Sequence, residues 1–372
     1  MSTLPPDFKQ VLIISPEPWN GQFVSKHHYA ITLAESGIQV YFLNPPKETC
    51  HNLEVNKTYY SNLWEVNSPQ VVKGLRFYPK YIRNLIEKKW LNKLEAKVGK
   101  KFTTIWLFEN SRFYDMNFAE NRLKIYHQVD SNQNLHIKKA ASTADICFCT
   151  TDFIKNKLKI FNKQVYKIHH GVSSSKSEKH LNKNQLSLLL KNQQNVVLIG
   201  NLDIKYLDVN LLESLITKHL HISFHLIGGF NEQGFCYSRC GKLKNALWWG
   251  KVDSEMIPVI LSHCDVSLLL YKAETKFDIE QLASPHKVME YLASGKVNVA
   301  TYTDEYKDKR ELLEMVDKNS DYISKFNDVI NDLVHYNSVE NQSMRKAFAK
   351  EHTYSKQLTK IFSYLKTNKL IN

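Results

Sequence analysis

Residues 283–296 read Ala-Ser-Pro-His-Lys-Val-Met-Glu-Tyr-Leu-Ala-Ser-Gly-Lys and carry the strongest local signals of the chain. Ser284 and Pro285 favour the N-cap and the first turn of a helix. Gly295 is typical of the position just beyond a helix C-terminus. The segment therefore predicts a helix that is capped by Ser284 and runs through Ala293, with its N-terminus at the edge of a sheet.

Two charged residues lie near the N-terminus of this predicted helix. The free N–H groups and the helix dipole favour an anion such as phosphate at that end. Lys287 adds a cation in the first turn, and Glu290 follows one turn later on the same face. The Glu290 carboxylate is able to accept two hydrogen bonds from a ribose diol. The alternative is an ordinary capped helix in which Lys287 and Glu290 pair with each other.

Apolar runs alternate with helical patterns on both sides of this segment. Runs of mostly apolar residues are typical of parallel strands that are buried on both faces. Helical patterns, including 25–36 and 80–100, separate these runs. The order predicts an α/β protein with two successive Rossmann-like halves. The predicted strands span 11–14, 38–43, 104–108, 125–129 and 146–150 in the first half, and 195–200, 221–228, 246–249 and 266–271 in the second.

The chain length also indicates two domains. Its 372 residues are too many for one ordinary core. The segment 173–191 is rich in Ser, Lys and Asn, a composition typical of a linker. We therefore expect an N-terminal domain at 1–172, a linker at 173–194, a C-terminal domain at 195–350, and a C-terminal helix at 351–372 that packs back on the N-terminal domain.

Basic residues outnumber acidic ones, 50 to 37, which gives a formal net charge of +13. Such an excess indicates an anionic partner, such as nucleotide phosphates, an acidic glycan, nucleic acid or a membrane surface. No nucleic-acid-reading motif is present, so no nucleic-acid partner is expected. The sequence has no Asp-x-Asp motif and no pair of Cys-x-x-Cys knuckles. We therefore expect neither a metal site nor a cofactor.

The predicted helix at 80–101 concentrates this charge, with eight Lys and Arg residues against Glu87 and Glu95. A basic amphipathic helix of this kind can lie on an anionic membrane surface. In the alternative, its apolar stripe packs on the sheet and the lysines are solvated. Residues 1–10 do not resemble a signal peptide, and we expect a cytoplasmic protein, peripheral on the inner face of the plasma membrane. The apolar stripe recurs at helical spacing and comprises Ile82, Leu85, Ile86, Trp90, Leu94 and Val98.

Residues 284–296 resemble the Ser-Pro-x-Lys-x-x-Glu-Tyr-Leu-Ala-x-Gly-Lys signature of GT-B glycosyltransferases, close to family 4 and to the bacterial exopolysaccharide and teichuronic-acid transferases. This resemblance implies the GT-B fold, in which two Rossmann-like domains with parallel sheets face each other across a cleft. It implies a hexosyltransferase that moves a sugar from a nucleotide-sugar donor, bound by the C-terminal domain, to a glycan or lipid-linked acceptor. Other segments resemble these enzymes in the same order along the chain: 13–21, 26–29, 44–46, 170–172, 198–202, 226–229, 249–251 and 264–266.

The resemblance also implies which residues bind the donor. Ser284 and Lys287, with Pro285, would hold the diphosphate, and Glu290 would hold the ribose. Family 4 enzymes usually carry a second glutamate eight residues before this one, and here that position is Leu282. Retention and inversion of the anomeric configuration therefore both stay open. The remaining implied donor-binding residues are Gly200, Asn201 and Lys205 near the phosphates, and Trp249, Gly250, Lys251 and Val252 near the base.

Glycosyl transfer needs a group that takes up the proton of the acceptor hydroxyl. In α/β proteins, ligands bind at loops that follow strands. Asp130 is the first choice for this base, followed by His127 and Glu17; for Asp130 the alternative is a turn-forming role. The pair His27 and His28 is a further candidate, with a purely structural role as its alternative.

Two other functions compete with glycosyl transfer. One is another enzyme with the GT-B fold, such as a sugar-nucleotide epimerase. The other is a non-catalytic basic binding or scaffold protein, for which a recognisable reading module or an aromatic-basic repeat is expected. The sequence contains neither feature.

Overall fold

The structure is a computed structural model, which describes residues 8–21, 23–131, 133, 135–173, 180–189, 191–192, 194–272 and 286–371. The chain folds into two compact units. The first unit contains Met1–His170 together with Tyr354–Asn372, and the second contains Gly171–Thr353.

Strands and helices alternate along both units. The strands are β1 (Gln10–Ile14), β2 (Gln39–Leu43), β3 (Glu54–Lys57), β4 (Leu63–Asn67), β5 (Thr104–Leu107), β6 (Leu123–Gln128), β7 (Ile146–Cys149), β8 (Val165–Lys167), β9 (Gln194–Ile199), β10 (Ile222–Ile227), β11 (Ala246–Gly250), β12 (Val266–Leu269), β13 (Val297–Ala300) and β14 (Glu314–Met315). The helices are α1 (Ser25–Glu35), α2 (Lys80–Val98), α3 (Ile137–Thr143), α4 (Asp152–Lys159), α5 (Lys183–Leu189), α6 (Val209–Lys218), α7 (Phe235–Cys240), α8 (Met256–Ser262), α9 (Lys287–Ser294), α10 (Tyr322–Asn331), α11 (Leu333–Tyr336), α12 (Val339–Lys350) and α13 (Tyr354–Thr367).

The sheet of the first unit has the strand order β3-β4-β2-β1-β5-β6-β7-β8. The β3–β4 pair is antiparallel and the other neighbours are parallel. Residues of β1 alternate between two cores: Leu12 and Ile14 pack in the cluster that contains residues of α2, while Val11 and Ile13 pack in the cluster that contains residues of α1 and α13. An apolar run without alternation is therefore buried on both faces, as the sequence predicts.

The sheet of the second unit is parallel throughout, with the order β11-β10-β9-β12-β13-β14. Counted within the unit, this is the order 3-2-1-4-5-6 of dinucleotide-binding sheets. The order reverses between β9 and β12, and ligands of such sheets bind at the carboxyl ends of the strands beside this switch point. The prediction of two successive Rossmann-like halves is confirmed.

The structure contains strands that were not predicted from the sequence, namely β3, β4, β8, β13 and β14. The edge hairpin of β3 and β4 was not predicted, because Glu54–Lys57 is mostly polar and mostly exposed. Helix α5 lies inside the segment predicted as a linker, and its Leu189 is buried against the core that contains residues of α8. A polar segment thus still contributes one anchoring side chain to the second unit.

Helix α2 buries a face that differs from the predicted stripe in its first half. Ile82 and Leu85 remain 38% and 43% exposed. Arg83 points inward instead and forms an ion pair with the fully buried Asp115 at 3.2 Å. In the first half of α2, the charged residues Arg83 and Glu87 are therefore buried where apolar residues were predicted. The buried residues of α2 are Arg83, Glu87, Trp90, Leu91, Leu94 and Glu95.

Candidate active site

Tyr291 fixes α9 to the central strand of the second unit. The pairing of β9 with β12 ends at Val197 and Ser267, whereas the pairing of β9 with β10 continues to Ile199. The buried Tyr291 hydroxyl accepts a hydrogen bond from the Ile199 backbone N–H at 2.9 Å. Gly295 ends the helix with a φ of 83°, as predicted for a residue beyond the C-terminus. Helix α9 is thus anchored at the carboxyl end of β9.

Lys287 and Glu290 pair on α9. The Lys287 Nζ donates to both carboxylate oxygens of Glu290 at 3.1 Å, and the two side chains keep 11% and 23% of their exposure. This is the pairing that an ordinary capped helix would show. The Lys287 ammonium group is therefore balanced by the Glu290 carboxylate. The predicted partners Ser284 and Pro285, like Leu282, lie outside the described residues.

The loops after β9, β10 and β11 meet through glycines. The Gly200 N–H donates to the Ile227 carbonyl at 2.9 Å, and the Gly228 N–H donates to the Gly250 carbonyl at 2.8 Å. Gly228 has a φ of 139°, and a Cβ atom on it would lie 1.7 Å from the Gly200 carbonyl oxygen. Only glycine fits this close approach. The predicted residues Gly200 and Gly250 therefore lie at one edge of the sheet.

Trp249, predicted near the nucleotide base, is held by a buried histidine. Its Nε1–H donates to His225 Nδ1 at 3.0 Å, and His225 Nε2 bonds Asn195 Oδ1 at 2.9 Å. Because the indole only donates, His225 accepts at Nδ1 and carries its proton on Nε2. Burial lowers the pKa of His225 to about 4, so the ring is neutral. His225 and Asn195 lie within strands and were not singled out from the sequence.

The other predicted donor-binding residues lie in the same loops. Asn201 is exposed and its Oδ1 accepts from the Asp203 backbone N–H at 3.0 Å. Lys205 and Lys251 are exposed, and Val252 packs against the core that contains residues of α8. Within the described ranges, no group of three or more His, Cys, Asp or Glu residues is placed to hold a metal ion.

In the first unit, Glu17 forms an ion pair with Lys26. Glu17 lies in the loop after β1, and Lys26 lies in the first turn of α1. The Lys26 side chain is 1% exposed, whereas that of Glu17 is 39% exposed. A buried ammonium group thus faces the carboxyl edge of the sheet, and the sequence alone indicated no role for Lys26.

Asp130 follows β6 and belongs to the same electrostatic cluster. The residue keeps an exposed surface, although protein surrounds most of its carboxyl group. This desolvation raises the pKa of Asp130; Lys26 opposes the shift, and Glu17 adds to it. The structure therefore brings together two of the three predicted base candidates, Asp130 and Glu17.

His127, the third candidate, is buried in an aromatic cluster. It is 1% exposed, and its ring lies 4.9 Å from that of Phe108 and 5.6 Å from that of Tyr29. Burial, together with the charges of His170 and Lys26, lowers the pKa of His127 to about 3. Its Nδ1 has no hydrogen-bond partner in the part of the chain that the structure describes. The ring is therefore neutral.

His27 and His28 contact their surroundings in different ways. His27 Nδ1 accepts from the Val24 N–H at 3.2 Å, and its Nε2 bonds the Pro18 carbonyl at 3.1 Å. Burial lowers the pKa of His27 to about 4, so it holds the loop after β1 as a neutral ring. His28 stacks on Tyr354 with 4.7 Å between the ring centroids.

Arg112 and Glu109, in the loop after β5, were not singled out from the sequence. Arg112 Nη2 donates to the Ser15 carbonyl at 2.7 Å, and its Nε bonds the Glu109 carboxylate. Burial raises the pKa of Glu109, and Arg112 opposes this shift. These bonds join the loops after β1 and β5 at the switch point. The position of Glu109 directly after a predicted strand was the available signal.

Comparisons with known proteins identify the fold. The structure is similar to sucrose-phosphate synthase from Thermosynechococcus elongatus, with a TM-score of 0.68, 13% identity, and coverage of 96% of this chain and 99% of that one. It is similar to a glycosyltransferase from Rickettsia africae, with a TM-score of 0.68, 12% identity, and coverage of 96% and 98%. Anabaena HepE, in complex with UDP and glucose, has a TM-score of 0.66, 12% identity, and coverage of 95% and 99%. No protein-family model and no curated protein sequence matches the chain. The fold is therefore GT-B, at identities that show the fold alone.

Proposed function

We propose that the chain is a glycosyltransferase, of the hexosyltransferase class, that moves a sugar from a nucleotide-sugar donor to a glycan or lipid-linked acceptor without a metal ion. The position of Lys287 and Glu290 on α9 carries this proposal, because α9 is anchored at the switch point of a sheet with dinucleotide-binding strand order. The likeness of almost the whole chain to solved transferases supports it. The same likeness does not favour a scaffold protein or an epimerase.

In this proposal, the donor binds at the carboxyl edge of the second unit. Lys287 leaves Glu290 and neutralises the diphosphate, while Glu290 accepts hydrogen bonds from the ribose hydroxyls. Gly200 brings its loop close to the phosphates, and Trp249 packs beside the base. As the leaving diphosphate gains negative charge, Lys287 and the helix N-terminus stabilise it.

The first unit supplies the acceptor site and the base. Asp130 is our choice for the proton acceptor, because its raised pKa makes its carboxylate a stronger base while part of its surface stays accessible. The ion pair of Glu17 and Lys26 lies beside Asp130, and the two charges act on its carboxyl group in opposite directions. His127 ranks below Asp130 because aromatic rings surround it.

We also propose that the protein is cytoplasmic and that α2 contacts an anionic membrane surface. Of the helices in the described ranges, none is both long enough and apolar enough to span a bilayer. Phe77, Tyr81 and Leu85 are 78%, 71% and 43% exposed, and Lys89 follows Leu85 one turn later on the same side of α2. Exposed apolar side chains beside lysines suit a surface with apolar tails and anionic headgroups.

Calorimetric titration with a panel of nucleoside diphosphates tests the donor site. We expect one of them to bind with micromolar affinity. Lys287→Ala and Glu290→Ala should each weaken it by about 1.5–3 kcal/mol, the range for hydrogen bonds to charged groups. Lys218→Ala, at an exposed position on α6, is the matched control and should bind normally. Unchanged affinity in both variants contradicts the site, and absence of binding by any nucleoside diphosphate favours a scaffold.

A further inference from the structure

A cavity of about 660 Å³ lies in the first unit, beside the first half of α2. The loops after β1, β2, β4 and β5 and the inner face of α2 form its walls. Its volume falls in the range of small-molecule sites, roughly 300–1,000 Å³. Much of its lining is apolar and rigid, including Pro16, Pro45, Pro46, Pro69, Trp90 and Phe113.

Two buried charged residues of α2 line this apolar cavity. Arg83 is 6% exposed and Glu87 is 2% exposed, and they lie one turn apart on the inner face of the helix. Within the described part of the chain, Arg83 Nε and Glu87 Oε2 are buried without a hydrogen-bond partner. An unpaired buried polar atom costs about 1–3 kcal/mol. Two of them in one cavity wall indicate a ligand.

The neighbours of these residues define the chemistry of that ligand. Arg83 donates to Tyr114 Oη at 2.8 Å and pairs with Asp115, so its charge is balanced within the protein. Burial raises the pKa of Glu87 to about 8; Arg83 opposes the shift, and Asp115 adds to it. At neutral pH Glu87 is therefore a protonated acid that donates a hydrogen bond. Arg83 Nε and Glu87 Oε2 are then both hydrogen-bond donors, and each requires an acceptor oxygen on the ligand.

From this geometry we infer that the cavity binds the apolar group of the acceptor, and that the uncharged oxygen joining this group to the sugar accepts hydrogen bonds from Arg83 and Glu87. The inference rests on the proposed function, because Pro16, in the cavity wall, directly precedes Glu17 of the base cluster. Leu75 and Phe77 also line the cavity and connect it to the exposed apolar surface of α2. The substrate class is thus an amphiphilic glycoside or a lipid-linked sugar.

Calorimetry that compares the affinities of octyl glucoside and methyl glucoside tests this assignment. Octyl glucoside is kept below its micellar concentration. We expect the octyl compound to bind the wild-type chain about tenfold or more tightly, because its additional methylene groups are buried. Val72→Phe places a larger side chain in the cavity wall and should reduce this preference about tenfold. Val334→Phe, at an exposed position in the second unit, should retain it. The affinity for phenyl glucoside, a third compound, shows whether the cavity prefers an aromatic group or an alkyl chain.

A second pair of variants tests the hydrogen bond. Glu87→Gln keeps a donor and should stay within about threefold of the wild type, whereas Glu87→Met removes it and should bind octyl glucoside about tenfold more weakly. Thermal unfolding checks that both variants fold. Equal affinity for octyl and methyl glucoside, or no effect of Val72→Phe, overturns the inference.

The nucleotide titration in the same samples separates this inference from the proposed function. Nucleotide binding without a preference for octyl glucoside overturns only the cavity assignment. A preference for octyl glucoside without nucleotide binding overturns the proposed transferase function and supports the cavity as a binding site for an apolar ligand.

Discussion

The Tyr291 hydroxyl accepts the hydrogen bond of the Ile199 backbone N–H at 2.9 Å. It does so just beyond the point where β12 ceases to pair with β9. A side chain of the helix that bears Lys287 and Glu290 therefore replaces a neighbouring strand. The positions of these two residues depend on a bond to the centre of the sheet.

Tyr291→Phe should remove this bond and leave the buried Ile199 N–H without its acceptor. We expect the free energy of unfolding to fall by about 1–3 kcal/mol, measured by urea denaturation. Tyr59→Phe is the matched control, because Tyr59 is 98% exposed. If Tyr291→Phe is as stable as this control, the bond does not stabilise the second unit.

Asp130→Asn keeps the shape of the side chain and removes the proposed proton acceptor. Transfer from a radiolabelled sugar nucleotide to a lipid extract should fall by about 10²–10⁴-fold, whereas nucleotide affinity should stay unchanged. Glu17→Gln and His127→Gln serve as comparisons. Normal turnover of Asp130→Asn with a loss in Glu17→Gln would transfer the role of base to the loop after β1. If none of the three changes matters, the leaving phosphate itself takes the proton, which favours a retaining reaction.

Chelation should leave single-turnover transfer within about twofold of the untreated rate. The reason is that Lys287 and the N-terminus of α9 stabilise the leaving diphosphate in the proposed mechanism. Multiple turnover is a poor readout, because a metal ion can speed product release. Loss of the single-turnover rate on chelation, restored by magnesium or manganese, would contradict the metal-independent reaction.

Glu87 should make the free energy of unfolding fall as the pH rises. Its carboxyl has an ordinary pKa of 4.5 when unfolded and a pKa of about 8 when folded. Its proton-linked stabilisation is complete below pH 4.5 and is lost as the pH rises through about 8. Arg83 and Asp115 are the charged groups that face it.

Urea denaturation at pH 5 and pH 8.5 measures this effect. Relative to Glu87→Gln, the wild type should lose stability on the order of 2–4 kcal/mol between the two pH values. Glu54→Gln, on the exposed edge strand, should follow the wild type. Parallel curves for the wild type and Glu87→Gln would show that Glu87 is ionised in the folded chain at neutral pH.

Tyr81→Ser combined with Leu85→Ser should weaken binding to vesicles that contain phosphatidylglycerol. We expect a loss of about fivefold or more in co-sedimentation, since two apolar side chains no longer enter the bilayer. Added salt should weaken the wild type as well, because the lysines act electrostatically. Val334→Ser with Val339→Ser, both exposed in the second unit, is the control. Equal binding of both double variants would contradict the contact through α2.

The sequence predicts the buried parallel strands well because their apolar runs are continuous. The run around Val11 is buried in the sheet of the first unit, and the run around Val196 is buried in the sheet of the second unit. The edge strand Glu54–Lys57 gives no such signal, because its stability comes from pairing with β4. This pairing stabilises the strand without leaving an apolar pattern in the strand's own residues.

The site was predictable where one short segment carries it and not where several segments contribute. Lys287 and Glu290 occur together and were found. His225 supports Trp249 from within another strand, and nothing in its local sequence indicates this role. Arg83 at an inward position of α2 was also unpredictable, because the residues that make its burial tolerable, Tyr114 and Asp115, lie more than thirty residues later in the sequence.

Helix α13 belongs to the first unit although the whole second unit precedes it in the sequence. Its residues Leu358, Ile361 and Leu365 are part of the core that contains Val11 and Ile13. Because synthesis runs from the N-terminus, every residue of the second unit is added to the chain before this helix. The unit that begins first is therefore completed last, and until then the apolar face that α13 covers is open to aggregation.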